Sequence, residues 1–163
     1  MKFKELIEKR RSVRKYKDTP VSKDQIYEIL EAARIAPSAS HKQPWHFVVV
    51  ENKETIKKLA KQEWAATAPL MIVGLADTEV SPVWCANDMG IAMEHMVLAA
   101  TDLGLGTCWM GQSNRENLVR ELLGVPEKYK VVALITVGES AEIPKPRDRK
   151  TLDSIVSWEK YGE

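Results

Sequence analysis

Residues 36–47 read Ala36-Pro37-Ser38-Ala39-Ser40-His41-Lys42-Gln43-Pro44-Trp45-His46-Phe47. Pro37 stops the helix in front of it, which opens with the capping box Ser22 and Gln25 and carries the apolar stripe Ile26, Ile29, Leu30 and Ala33. From His46 to Glu51 the chain is β-branched and apolar, which predicts a strand. The loop between them is rich in amide and hydroxyl donors. Its Trp45 indole is a surface for a flat ligand or, more simply, a core buttress.

Working outward, Phe3, Leu6 and Ile7 fall at helical spacing and predict a first helix ending near Arg10, its cations beside the negative end of the dipole. Ser12 is then expected at a turn. Downstream, Asn52 caps a short helix through Ile56 and Leu59, and residues 69–76 read as a buried strand. Both strands are expected to be central in their sheet. Met89, Ala92, Met93, Met96, Val97 and Ala100 repeat at three and four across residues 84–103, and Gly104 is placed to end that helix in a left-handed cap. Residues 105–110 suggest a short strand, Asn114 a cap for a helix carrying Leu118 and Leu122, and residues 130–137 a last strand ending at Gly138. The tail from Thr151 holds Leu152, Ile155, Val156 and Trp158.

No internal repeat, low-complexity tract or long linker divides the chain, so residues 1–163 are expected to form a single domain. Helices and strands mix without strict alternation, which argues for an α+β fold over a doubly wound α/β sheet. A content of 44% hydrophobic and 29% charged residues is ordinary for a globular protein. The net charge of +1 conceals a strongly basic segment at residues 2–17, better suited to a local anion site than to general nucleic-acid binding. Cys85 and Cys108 are too few and too far apart for a disulfide scaffold, so free thiols and a reducing, cytoplasmic location are expected. The longest apolar runs fall short of the roughly 20 residues a membrane helix needs.

The chemistry resides in two clusters at opposite ends of the chain: Arg10-Arg11-Ser12-Val13-Arg14-Lys15 and Lys145-Pro146-Arg147-Asp148-Arg149-Lys150. Guanidinium is a planar fork of donors matched to phosphate, and several together suit a dianion. Either cluster alone reads as a solvated surface; the pair, with a donor-rich loop between, points to a ligand with a phosphate and a flat ring. Other motifs fail. Trp109 stands where a dinucleotide fingerprint beginning at Gly104 and Gly106 needs its third glycine. The histidines and cysteines lack metal-ligand spacing, and neither a nucleophile elbow nor a P-loop is present.

These residues, in this order, resemble the FMN-dependent nitroreductase family: RRSVRKY near the N-terminus, APSASHKQPWHF in the middle and a basic pair near the C-terminus. The resemblance covers nearly the whole chain. It implies an α-β-α sandwich with a mainly antiparallel central sheet and a homodimer with FMN at the subunit interface; the wide apolar face of the Met-rich helix, of which one domain of this size can hide only part, predicts that this helix packs at that interface. Arg10 and Ser12 would bind the FMN phosphate with Arg147 and Arg149, while Arg11 is left open between binding and mere exposure. Arg14 would lie near the ribityl chain or the pyrimidine edge. Pro37, Ser38 and Ala39 match a loop that reaches the flavin held mainly by the other subunit. His41 replaces the usual Asn, and Gln43 offers an amide. The main-chain N–H groups of Gly111 and Gln112 are candidates for a bond to flavin nitrogen 5.

The implied activity is ping-pong hydride transfer: NADH or NADPH reduces the flavin, which then reduces a small-molecule acceptor such as a nitroaromatic or quinone. The flavin centres the chemistry, so no catalytic side chain, metal, nucleic acid or membrane is invoked. An FMN carrier or sensor with little turnover is the alternative; a colourless anion-binding or RNA-binding module is a third reading.

Overall fold

A computed structural model describes residues 2–111 and 115–162. In chain order its elements are α1 (Phe3–Lys9), α2 (Lys23–Arg34), β1 (Trp45–Val50), α3 (Lys53–Leu59), β2 (Leu70–Asp77), α4 (Cys85–Asp102), β3 (Gly106–Gly111), α5 (Glu116–Leu123) and β4 (Tyr129–Gly138). The four strands form one antiparallel sheet in the order β1-β2-β4-β3. Local chemistry sets the helix starts as expected: the Ser22 hydroxyl accepts from the Gln25 N–H while the Gln25 amide oxygen accepts from the Ser22 N–H. Asn52 accepts from the Thr55 N–H at 2.9 Å. Gly104 follows α4 at φ +79°, a left-handed conformation that glycine adopts without a Cβ penalty.

The sandwich is visible in β2, buried along its whole length. Leu70, Ile72 and Ala76 face a core built with α2 and α4; Met71, Val73 and Leu75 face the opposite core, with α3 and α5. A strand hydrophobic on both faces needs helices on both sides, which makes the architecture α-β-α. Gly74 lets α4 approach closely, because a Cβ there would meet the Met93 and Met89 sulfurs at 2.5 and 2.8 Å.

Three expectations need correction. β1 is an edge strand of this sheet; only β2 and β4 are central. Its apolar content reflects helix packing on its faces, which period-two patterning cannot separate from a central position. Ser12 lies in an extended segment bridging Thr107 in parallel, not at a turn. The cap of α5 is Arg115; Asn114 lies outside the described residues. Met89, Met93 and Met96 are completely buried within the chain itself, so a contact between α4 and a second copy would use the helix's other face.

The two chain ends meet along the β3–β4 side. The Val13 N–H donates to the Thr107 carbonyl at 2.8 Å, the Lys17 N–H to Glu139 at 2.9 Å, and the Ala141 N–H to Lys15 at 2.8 Å. Tyr16 inserts its ring beneath this seam, with its hydroxyl 2.8 Å from the Val13 carbonyl and 2.7 Å from Thr136 Oγ1; burial pushes that phenol well above its ordinary range. Gly106 permits the approach, since a Cβ there would lie 2.6–2.9 Å from the Val13 side chain. Gly106→Ala should therefore cost about 1–3 kcal/mol, the range for overpacking. Urea unfolding of the variant checks this, and an unchanged midpoint would refute the account of the seam.

Candidate functional site

The seam carries residues 10–14 from one end of the chain and 144–149 from the other into a common cleft of about 460 Å³. Arg10, Arg11, Ser12, Arg14, Pro144, Lys145, Pro146, Arg147 and Arg149 line it, with no carboxylate among them. So much positive charge around one opening is repulsive unless an anion fills it. Arg149 donates weakly to the Arg147 and Asp148 carbonyls at 3.5 and 3.4 Å, and Arg11 is held more closely. Its guanidinium donates to the Glu8 carbonyl at 2.5 Å and to the Arg10 carbonyl at 2.8 Å, capping the end of α1.

A second cleft of about 290 Å³ adjoins through Arg14 and is lined also by Lys61, Gln62, Trp64, Cys108, Trp109, Met110 and Gly111. Two indoles and an exposed strand end form its walls. A Cβ built on Gly111 meets nothing within 4 Å, so the backbone at the end of β3 borders open space. Gln112, the neighbouring candidate, lies outside the described residues. Cys108 is 3% exposed, and burial pushes its thiol up, opposed by the charge of Arg14 and a bond with Ser12. That shift disfavours the thiolate, the form in which a cysteine acts as a nucleophile. Among the described residues no three His, Cys, Asp or Glu side chains are placed to hold a metal ion.

The middle loop stands apart from both clefts. Ala39–His41 form a single 3-10 turn, and Ser40, His41 and Gln43 all have positive φ, at 50°, 55° and 48°. Each such conformation costs roughly 1–2 kcal/mol for a residue with a side chain. Three contacts hold it: the Gln43 N–H donates to Ser38 Oγ at 2.9 Å, the Gln43 amide lies 3.2 Å from His41 Nε2, and the Ala39 N–H donates to Asp88 Oδ1 at 3.0 Å. Trp45 packs against the α2–α4 core, as a buttress would. None of Pro37, Ser38, Ala39, His41 or Gln43 lines either cleft of this chain.

Sequence reasoning did not single out Trp64, Lys61, Asp88 or Glu142. Asp88 had a signal, as an acid on the apolar face of α4; it is 3% exposed, and its Oδ2 has no partner among the described residues. Trp64 and Lys61 had none, because only folding brings residues 61–64 against Arg14.

A model of the nitroreductase family matches residues 7–66 and 57–139. A protein of Archaeoglobus fulgidus, provisionally named NADH dehydrogenase/NAD(P)H nitroreductase, is 38% identical over 156 residues, covering 89% of this chain and 86% of its own. The FMN reductase [NAD(P)H] of Bacillus subtilis is 28% identical, covering 93% and 71%. Among solved structures, an FMN-dependent nitroreductase from Clostridium difficile R20291 superposes with a TM-score of 0.80 at 37% identity, over 95% of both chains. A nitroreductase family protein from Clostridium difficile 630 reaches 0.90 at 33%, over 98% of this chain and 99% of that one. With its sandwich architecture, its paired basic ends and these matches, the chain belongs to the nitroreductase family.

Proposed function

We propose that this chain is an FMN-dependent oxidoreductase that takes electrons from NADH or NADPH and passes them to a small acceptor of the nitroaromatic or quinone kind. The observation that carries the reading is the pair of clefts joined at Arg14: a carboxylate-free ring of cations on one side, an indole-walled slot on the other. A ligand with a phosphate at one end and a flat ring at the other fits that donor set. The names of the relatives, FMN reductase [NAD(P)H] and FMN-dependent nitroreductase, support the same cofactor and reductant.

Arg10, Ser12, Arg147 and Arg149 would hold the phosphate by charge-assisted hydrogen bonds. Arg11 contributes charge to the cleft while its donors serve the end of α1. Arg14, shared by both clefts, would stand beside the pyrimidine end of the ring, where a fixed cation favours the reduced, more negative state. Gly111 leaves room for the ring to approach the backbone, and it and Gln112 are the candidates to donate N–H groups toward nitrogen 5. When bound, FMN supplies the alternating uptake and release of an electron pair, and the protein needs no acid or base of its own.

The site would be completed by a second copy, whose Pro37, Ser38, Ala39, His41 and Gln43 would face the ring. Two features support a homodimer. Beyond Ser140 the chain runs almost wholly exposed, with Ile143 at 97%, Leu152 at 70% and Trp158 at 77%. Several large apolar side chains exposed along one segment are unfavourable in water, and burying each recovers about 1.5–3 kcal/mol. Trp84, which precedes α4, and Ile91 within it are also exposed, on the side away from the methionines. No described helix is long and apolar enough to cross a membrane.

Three outcomes test the reading. Purified protein should be yellow and bleach with NADH or NADPH under anaerobic conditions; flavin retained but unreduced by either would favour the carrier alternative. Arg10→Ala should weaken FMN retention by about 1.5–3 kcal/mol, the scale of a hydrogen bond to a charged group, and unchanged affinity in equilibrium dialysis would remove the phosphate assignment. Sedimentation should give twice the chain mass; a stable, flavin-loaded monomer would refute the shared site.

A further inference from the structure

Arg14 lies over the indole of Trp64, with its Cζ 5.7 Å from the ring centroid, within the range of a cation–π contact. No carboxylate pairs with its guanidinium among the described residues; Glu142 accepts from its backbone N–H at 3.1 Å instead. The charge is therefore held without being neutralised, whereas a carboxylate partner would cancel most of its field. Trp64 is itself fixed. It packs against Val13, Tyr16 and Ala68, its indole N–H donates to the Gln62 side-chain oxygen, and its carbonyl accepts from Thr67 Oγ1 at 2.7 Å. Both residues line the cleft that ends at Gly111.

We infer that Trp64 is the positioning residue for this cation: its indole face holds the Arg14 guanidinium at the ring-binding cleft and thereby sets how strongly the site favours reduced over oxidised flavin. The inference rests on the FMN reading above. A nicotinamide hydride carries one proton and two electrons; transferring it oxidises the nicotinamide and leaves the flavin ring with one added negative charge. A fixed cation beside that charge binds the reduced ring more tightly than the oxidised one. A guanidinium released into water is screened and averages over many rotamers, so the difference shrinks.

The two layers of the claim separate experimentally. In flavin-free protein, a cycle of Trp64→Leu, Arg14→Gln and the double variant reads the contact itself, since Leu keeps apolar volume against Val13 and Tyr16 but has no π face. The urea midpoints should be non-additive; additive midpoints would show that the pair does not interact and overturn the inference. In flavin-loaded protein, the ratio of the dissociation constants for reduced and oxidised FMN should rise about tenfold in Trp64→Leu. For a two-electron couple that is a downward potential shift of about 30 mV. Trp64→Phe, which keeps an aromatic face, should restore most of the wild-type ratio. Coupling in the flavin-free cycle with an unchanged ratio would overturn the redox role while leaving the FMN reading intact. A wild-type chain that takes up no FMN would overturn both.

Discussion

The structure turns on the hydrogen-bonded seam between residues 13–17 and residues 139–141 and 107. Three backbone bonds and the buried Tyr16 ring bring two distant basic segments face to face. Cations so arranged oppose folding, and what offsets them is local: Val13 packed on Gly106, Tyr16 under β4, and the Glu142 carboxylate taking the Arg14 N–H. The sheet to which both segments are bonded, not the basic loops, fixes the geometry of the basic cleft.

The sheet imposes a division of labour on the helices. On one face α2 and α4 form a core dominated by three fully buried methionines and closed against β2 by Gly74. On the other, α3 and α5 bring residues 58–64 beside β3: Arg115 donates to the Leu59 and Lys58 carbonyls at 3.1 Å, tying the two helices together. That second layer supplies Trp64. The strained loop at residues 38–43 belongs to the first layer, fastened to α4 through Asp88. Backbone strain of this kind persists where surrounding contacts over-determine it and is enriched at functional sites. The loop lines neither cleft of its own chain.

Much of the fold was legible because local chemistry agrees with tertiary context. Ser22 and Gln25, Asn52 and Gly104 mark element ends in both sequence and structure. The β1 position was not legible: Val48, Val49 and Val50 give the same apolar signature in an edge strand covered by helices as in a central one. Ser12 was misread as a turn because its partner, Thr107, lies 95 positions away in sequence, where local propensity says nothing about pairing. The methionines on the wide apolar face of α4 fill the chain's own core; periodicity shows that a face is buried, not what buries it.

The sequence by itself determined the donors. Forked cations at both ends, a loop of amides and hydroxyls and small residues along β3 are properties of composition and order, and they sufficed for the family and for a phosphate-bearing flat ligand. Only the tertiary structure decided where those donors act. Convergence of Arg10 with Arg147, withdrawal of the Arg11 donors to the end of α1, and the indole beneath Arg14 all depend on contacts between segments far apart in the chain. Such contacts form when long-range strand pairing outweighs the entropy of closing large loops, a balance no local window of sequence contains.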